Sequence, residues 1–390
     1  MDPLQAPLLA QAYELCQHPA YRKLVWRHCA YRDESVGIER LNTRIHRDDQ
    51  MLQHSVKHFR EVNRPLSQYF NVALQQHNAA QQILRATVGE PGADCHILDF
   101  ACGYGRLLRF LTLGVPPSQI WASEIQPDAV DFVVREFGVH GILSSLDPER
   151  FDPGRQFDFV WAASFFSHLP RPLFQRWLRR LTSILKPRGV LCFSVHDEWL
   201  RPTEIPMPED GILFRSISEN AALDTSTYGT TYVSEAFVRN AIVDAAASSH
   251  RYFRIKRGLA NEQDVYVVAK KADVDLGRLD TFRKGAWGWV DACRVSDRGE
   301  LCLQGWAASL DDGAIDSVEV TIDGKACLCP TGVARDDVRT VLNDERLATC
   351  GWELRLPLRR GSPPVFVEVT ARSARDELAL LYGGPIAEPL

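Results

Sequence analysis

The decisive stretch of this 390-residue sequence is Cys95-His-Ile-Leu-Asp-Phe-Ala-Cys-Gly-Tyr-Gly-Arg-Leu-Leu-Arg-Phe110. Its first half is apolar enough to predict a buried strand, and its second half predicts a glycine-rich turn that leads into a helix. The turn carries small residues, Ala101, Gly103 and Gly105, which let a ligand approach the backbone closely. A strand, a glycine turn and a helix in this order predict the nucleotide-binding edge of an α/β sheet.

Two common phosphate-binding patterns do not fit this turn. A dinucleotide fingerprint needs a Gly three residues after Gly105, where the sequence has Leu108, and the Gly-Lys-Ser/Thr of a P-loop does not follow. The order Asp99-x-Ala101-x-Gly103-x-Gly105 resembles the first motif of the class I S-adenosylmethionine (SAM) methyltransferases, with Ala101 where Gly is usual. The resemblance implies that Asp99, Ala101, Gly103 and Gly105 bind SAM as the cofactor.

The next two predicted strands follow in the order that this resemblance requires. Residues 119–124 predict a strand that ends in Glu124, and a carboxylate there is able to accept both ribose hydroxyls. Glu124 has a second interpretation, as a favourable charge at the start of the following helix. Residues 141–146 predict a third strand, where the resemblance implies adenine contacts from Ser145 and Leu146.

The remaining strands complete a sheet. Residues 157–170 predict strand four with the loop that follows it, and residues 185–196 predict the turn into strand five and the strand itself. A helical pattern separates them, and the resemblance places Ala163 beside the cofactor. Residues 251–255 and 263–269 predict a terminal antiparallel pair. The pattern as a whole predicts an α/β fold with a doubly wound, mostly parallel, Rossmann-like methyltransferase sheet.

Candidate catalytic residues come from the ends of strands four and five. His168 follows strand four and His196 ends strand five, at the edge where α/β sheets bind ligands. An imidazole, with an ordinary pKa of about 6.5, is suited to take the proton of a hydroxyl acceptor. In the structural alternative, His168 begins a helix and His196 closes a strand. Upstream, Tyr69 is expected either to lie over the cofactor, as the resemblance implies, or to pack in a core.

Composition excludes several classes of function. The net charge of −5 gives no basic field, so nucleic acid is not an expected partner. No signal-peptide pattern or apolar run of about 20 residues is present, which predicts a cytoplasmic protein without a transmembrane segment. The ten cysteines are dispersed and predict reduced thiols. His46, His54 and His58 lack further ligands in the pattern, so no metal site is predicted.

The chain divides by periodicity into four segments. They are a helical extension at 1–65, a methyltransferase domain at 66–271, a polar linker at 272–284 and a β-sandwich domain at 285–390. The last segment shows short alternating runs and the hairpin signal Asp323-Gly324, which predict an all-β sandwich. It resembles, through Gly305-Trp306-Ala307 and Cys350-Gly351-Trp352, a module of bacterial glycosyltransferases and methyltransferases that act on surface polysaccharides. Trp306 and Trp352 are expected either to stack on sugar rings or to pack in the core.

These observations predict a SAM-dependent O-methyltransferase that acts on a sugar hydroxyl of a glycan or glycolipid intermediate. A glycan or another hydroxyl-bearing acceptor is the expected partner, with glycan-assembly enzymes beside it. Three alternatives stay open. They are a methyltransferase of a small-molecule carboxylate or phenol, an NAD-dependent sugar oxidoreductase, and a non-catalytic scaffold that keeps a cofactor fold.

Overall fold

The structure is a computed structural model that describes residues 5–217, 224–245, 250–357 and 364–386. The chain divides into two compact units, each with an apolar core of its own. The first unit contains Met1–Ala30, Thr43–Gln75 and Arg283–Leu390, and the second contains Tyr31–Asn42 and Gln76–Phe282.

Helices and strands are numbered in chain order. The helices are α1 (Gln5–Leu15), α2 (Pro19–His28), α3 (Gln50–Phe59), α4 (Asn63–Thr87), α5 (Leu108–Leu111), α6 (Pro127–Phe137), α7 (Arg171–Ser183), α8 (Glu235–Ala245) and α9 (Asp336–Leu342). The strands up to residue 269 are β1 (Ile97–Phe100), β2 (Ile120–Glu124), β3 (His140–Leu143), β4 (Phe157–Ala162), β5 (Leu185–Asp197), β6 (Ile212–Arg215), β7 (Thr230–Val233), β8 (Arg251–Leu259) and β9 (Gln263–Ala269). The later strands are β10 (Ala286–Val295), β11 (Glu300–Ser309), β12 (Gly313–Ala314), β13 (Ser317–Ile322), β14 (Lys325–Pro330), β15 (Gly351–Pro357), β16 (Val365–Arg372) and β17 (Leu378–Ile386). In the part of the chain that the structure describes, no helix is both long and apolar enough to cross a membrane.

The second unit is built around a sheet whose first five strands run parallel in the order β3-β2-β1-β4-β5. Strand β9 pairs antiparallel with β5, and β8 pairs antiparallel with β9. Apolar side chains of α4 and α6 contribute to the core on one face, and those of α7 and α8 to the core on the other. The predicted doubly wound, mostly parallel Rossmann-like fold is therefore confirmed.

The connection after β5 contains a hairpin that the sequence pattern does not predict. Strands β6 and β7 pair antiparallel, and β7 extends the sheet by pairing parallel with the end of β5, where His196 is opposite Tyr232. The N–H of Gly229, just before β7, donates to the carbonyl of His168 at 2.8 Å. Residues 218–223 of this connection lie outside the described residues. The hairpin therefore reaches the carboxyl edge of the sheet, beside one of the candidate bases.

The C-terminal region forms two antiparallel four-stranded sheets. One contains β10, β11, β12 and β15, and the other has the order β14-β13-β16-β17. Buried apolar residues of both sheets form one cluster, which includes Val320, Trp352 and Val369. Trp352 is 1% exposed, so its ring packs in this core and is not presented to a sugar. The Trp306 ring lies edge-on to that of Trp287, with the ring centroids 4.9 Å apart.

The N-terminal helices belong to the same compact unit as these sheets. His28 of α2 is buried, and its Nε2 lies 3.0 Å from Oγ1 of Thr370 in β16. The periodicity of the sequence predicts only an N-terminal helical extension. It indicates an apolar face on these helices but does not identify the residues against which that face packs. The boundaries at residues 65, 271 and 284 stay predictions.

The segment at 272–284 differs from the exposed linker that its composition predicts. Val274, Leu276 and Leu279 are 2%, 6% and 2% exposed and pack in the core of the second unit. Gly277–Thr281 forms a 3-10 helix. Charged residues dominate the composition of residues 272–284, which is why the sequence predicts an exposed linker. The three apolar side chains named above are nevertheless buried. Truncating the chain before residue 272 would therefore remove part of the core of the second unit.

We expect Asn63→Ala to destabilise the first unit by about 1–3 kcal/mol. The Asn63 amide donates to the Tyr382 hydroxyl at 3.0 Å and to the Pro385 carbonyl at 2.9 Å, and both acceptors lose their donor in the variant. Denaturant unfolding measures the change. Gln17→Ala, which removes an exposed bond to Tyr13, is the control and should stay within about 0.5 kcal/mol of the wild type. An unchanged unfolding midpoint for Asn63→Ala would contradict a stabilising role for these bonds.

Candidate active site

The glycine turn after β1 has the backbone that its sequence requires. Ala101, Gly103 and Gly105 have φ angles of 56°, 53° and 76°, in the left-handed region that favours glycine. A Cβ at Gly105 would lie 2.4 Å from Cε2 of Phe137 in α6, so packing also requires this glycine. A Cβ at Gly103 would meet no atom within 4 Å. The backbone at Gly103 therefore borders open space in which a ligand is able to approach it.

The predicted helix after the turn is short. Helix α5 contains only four residues, Leu108–Leu111, and turns fill the chain between β1 and its start. Leu108, at the position where a dinucleotide fingerprint has its third Gly, is fully buried in the apolar core. The turn itself, rather than the first amides of a long helix, therefore forms this edge of the site.

Two carboxyl groups lie beside the turn. Glu124, at the end of β2, accepts the N–H of Gly103 at 3.0 Å and that of Ile125 at 2.6 Å. Burial raises the pKa of Glu124, and these backbone donors oppose that rise. Asp99 is 2% exposed, and burial together with the charge of Glu124 raises its pKa well above the usual range. A paired acid with a raised pKa is typical of functional sites.

The residues at this edge fit the hydroxyl-rich nucleoside of SAM. Oδ2 of Asp99 is buried without a hydrogen-bond partner among the described residues. The Glu124 carboxylate is held in place by backbone N–H groups, yet its two oxygens have further lone pairs for ribose hydroxyls. Together with the open space beside Gly103, these features match the sequence prediction for the cofactor edge.

The structure places three of the other four predicted cofactor residues directly after neighbouring strands, and the fourth, Tyr69, in helix α4. Ser145 and Leu146 follow β3, and Leu146 is 66% exposed. Ala163 follows β4 and is partly buried against the core. Tyr69 belongs to the first compact unit, where its hydroxyl donates to Asp49 at 2.7 Å. The contacts of these four residues with a cofactor stay predictions.

The two candidate bases lie close together at the carboxyl edge of the sheet. The ring centroids of His168 and His196 are 6.1 Å apart, and the His168 ring stacks on Tyr228 at 4.6 Å. Nδ1 of His168 lies 2.7 Å from the Gly229 carbonyl oxygen. A carbonyl oxygen only accepts, so Nδ1 carries the ring proton and Nε2 is the basic nitrogen.

His196 has a different environment. Its Nε2 lies 3.2 Å from the amide nitrogen of Gln263, the first residue of β9. Burial lowers the pKa of His196 to about 4, with the charge of His168 acting in the same direction and the backbone of Thr231 opposing it. His196 is therefore neutral at physiological pH.

Several polar residues around the histidines are not found by sequence reasoning. They are Ser164, Ser194 and Gln263 beside His196, Tyr228 beside His168, and Arg254, which forms ion pairs with Asp197, Glu235 and Asp264. They come from separate strands and loops, so no local motif contains them. The only signals in the sequence were that Gln263 begins one predicted strand and that Arg254 lies within another.

We expect the burial of neutral His196 to make stability depend on pH. Its pKa is about 4 in the folded chain against 6.5 in the unfolded one, so the unfolded chain binds more protons between these values. The contribution of neutral His196 to the free energy of unfolding is fully present above pH 6.5. This free energy falls by about 1–3 kcal/mol as the pH falls from 6.5 toward 4. His196→Asn should flatten this part of the curve of unfolding free energy against pH. His54→Asn is the control and should keep the wild-type slope; equal slopes for the wild type and His196→Asn would contradict the assignment.

Part of the chain is similar in sequence to known methyltransferases. Residues 98–191 match the family model described as a methyltransferase domain. Trans-aconitate 2-methyltransferase of Escherichia coli O1:K1 / APEC is 27% identical over 143 residues, which are 37% of this chain and 55% of that protein. The chain thus spans about half the length of this curated relative.

Two solved methyltransferases are similar over half of the chain. CalS10 of Micromonospora echinaspora, an amino pentose methyltransferase, has 15% identity and a TM-score of 0.37, covering 50% of this chain and 90% of its own. The 1,6-didemethyltoxoflavin-N1-methyltransferase of Burkholderia thailandensis has 18% identity and a TM-score of 0.36, covering 50% and 78%.

The family match confirms the central sequence prediction at the level of the domain. It runs from β1 into β5 and includes the glycine turn and Glu124. This segment is a class I SAM-dependent methyltransferase domain, with SAM as its cofactor. The roles of the individual site residues stay predictions.

Proposed function

We propose that this chain, whose residues 98–191 form a SAM-dependent methyltransferase domain, moves a methyl group to a sugar hydroxyl of a glycan or glycolipid intermediate. When bound, SAM supplies an electrophilic methyl group on a sulfonium that is already a good leaving group. The remaining tasks fall to the protein. It must hold the acceptor oxygen in line, exclude water and take the hydroxyl proton.

The cofactor is held by the turn and strand ends of the second unit. Glu124 would accept the ribose hydroxyls, Asp99 would offer a further oxygen to the nucleoside, and Gly103 and Gly105 would let the backbone approach it. Ser145 and Leu146 would contact the adenine, and Ala101 and Ala163 would complete the set of cofactor residues. The support is the buried oxygen of Asp99 and the backbone-held carboxylate of Glu124.

His168 takes the acceptor proton in this proposal. The observation that carries it is the 2.7 Å contact between Nδ1 of His168 and the Gly229 carbonyl oxygen. That bond fixes the tautomer with Nε2 as the basic nitrogen, and it also stabilises the imidazolium that forms when Nε2 takes the proton. His196 is neutral but a weaker base, because burial lowers its pKa to about 4.

The choice of a sugar acceptor rests on the C-terminal region. We interpret its two sheets as a β-sandwich related to modules of enzymes that act on surface polysaccharides. Its first sheet has a pocket of about 400 Å³, whose lining includes Arg294, Gln304, Glu353 and Arg355. These polar side chains are able to form hydrogen bonds with sugar hydroxyls. On the same resemblance we propose glycan-assembly enzymes as partners. A cytoplasmic location stays a prediction.

One second candidate is favoured by a specific observation. The curated relative is, by its name, a methyltransferase of trans-aconitate, which is a carboxylate. A carboxylate is already ionised and needs no base, so methyl transfer to it would not depend on His168.

Labelled SAM offered to a panel of acceptors tests the proposal. The panel contains nucleotide sugars, lipid-linked glycans, small phenols and trans-aconitate. We expect the label on a sugar acceptor, and loss of that transfer in His168→Ala. Label only on trans-aconitate, unaffected by His168→Ala, would establish the carboxylate candidate instead. SAM binding without transfer to any acceptor would favour the scaffold alternative.

A further inference from the structure

The side-chain amide of Gln263 has an orientation that its neighbours determine. Its Oε1 accepts the Ser194 hydroxyl at 2.6 Å, and its Nε2 lies 3.1 Å from Oγ of Ser164. Oγ of Ser194 also accepts the backbone N–H of Ser164 at 2.7 Å. Because Ser194 is 1% exposed, its own hydrogen has to go to Gln263 rather than to water. The oxygen of the amide therefore faces Ser194, and its NH₂ group faces away from it.

This orientation decides which nitrogen of His196 carries the proton. The amide nitrogen of Gln263 lies 3.2 Å from Nε2 of His196. An amide NH₂ group only donates, so Nε2 of His196 accepts and the ring proton is on Nδ1. The basic lone pair of His196 is therefore engaged with Gln263.

The two rings are close enough for their charges to interact. With the ring centroids 6.1 Å apart, a positive charge on His196 would oppose a positive charge on His168. Burial of His196 acts in the same sense, because it lowers the pKa of this ring to about 4. A neutral His196 therefore favours proton uptake by His168.

We propose that Gln263 is a positioning residue that holds His196 as the neutral Nδ1–H tautomer, so that the acceptor proton goes to His168. The effect on turnover rests on the proposed function, whereas the tautomer of His196 does not. Gln263 acts through His196 and does not touch the reacting atoms in this account. Ser194 and Ser164 fix the amide that performs this role.

Nitrogen-15 NMR of the full-length chain, with ¹⁵N-labelled histidine rings, tests the tautomer directly. His196→Asn assigns the signals. In the wild type we expect Nε2 of His196 to give the signal of an unprotonated ring nitrogen and Nδ1 that of a protonated one. Gln263→Met keeps the side-chain length but loses the donor. In this variant we expect exchange between the two tautomers to average the chemical shifts of the two His196 ring nitrogens. The kcat should fall about tenfold while the KM for SAM stays unchanged.

Gln119→Met is the matched control. Gln119 is 6% exposed and donates to the Gly92 carbonyl at 2.6 Å, before the start of β2, so its loss costs a similar hydrogen bond away from the histidines. This variant should leave the His196 signals and kcat as in the wild type.

Three outcomes would overturn the proposal. They are a proton on Nε2 of His196 in the wild type, unchanged His196 signals in Gln263→Met, or a Gln263→Met kcat equal to that of Gln119→Met. If the wild type transfers no methyl group to any acceptor, the proposed function fails, and the NMR result still decides whether Gln263 sets the tautomer.

Discussion

Replacing His168 by Ala lowers kcat for methyl transfer to a hydroxyl acceptor by about 10²-fold or more, because general bases contribute on this scale. The variant loses the basic Nε2 of His168, whose ring is oriented by the bond from Nδ1 to the Gly229 carbonyl. SAM affinity should stay near the wild-type value, since the proposed cofactor residues lie on β1 and β2 and directly after β1, β3 and β4, and His168 is not one of them. Single-turnover kinetics with labelled SAM, together with calorimetry for SAM binding, measures the two quantities separately.

His168→Gln separates the base from a structural role. The Gln side chain is still able to donate to the Gly229 carbonyl, but it takes no proton at this site, so its kcat should be as low as that of His168→Ala. His54→Ala, on the exposed surface of α3, should have wild-type kcat. Wild-type turnover in both His168 variants would show that another residue is the general base or that the acceptor is already ionised.

Replacing Glu124 by Ala weakens SAM binding by about 1.5–3 kcal/mol, the range for hydrogen bonds to a charged group. This is a loss of about 10- to 150-fold in affinity. The carboxylate accepts the N–H groups of Gly103 and Ile125, so the variant loses both the ribose acceptor and the group that orders the turn. Isothermal titration calorimetry of SAM and of its demethylated product measures the change.

Glu124→Gln keeps the side-chain length and one acceptor oxygen while removing the charge. It should bind SAM with intermediate affinity, and it keeps the test valid if Glu124→Ala proves too unstable to purify. Glu149→Ala, on an exposed turn after β3, is the control for the loss of one acid. Wild-type SAM affinity in both Glu124 variants would contradict the ribose assignment.

Local patterns are sufficient to predict the parallel strands of the sheet and the glycine turn that follows β1. The apolar strand β1, the small residues of the turn and the acid that ends β2 are each encoded within about ten residues. The structure adds a reason for Gly105, whose Cβ would clash with Phe137, a residue outside the local motif. The sequence predicts a helix after the turn but not its length, because the apolar residues of α5 are compatible with a helix longer than four residues.

Long-range contacts account for what the sequence does not predict. Gln263 and His196 are 67 residues apart, and His168 and Gly229 are 61 apart. The sequence identifies both histidines by their places at strand ends, but only the folded chain brings each one its partner. The N-terminal helices belong to one compact unit with the C-terminal sheets for the same reason, and amphipathic patterns do not name the surface that covers them.

Calorimetric titration of the purified chain with SAM and, separately, with NAD tests the central claim most directly. The account predicts binding of SAM and of its demethylated product and no binding of NAD, because the turn from Ala101 to Gly105 is followed by the buried Leu108 instead of a third glycine. Binding of NAD without binding of SAM would contradict the account and establish the oxidoreductase alternative.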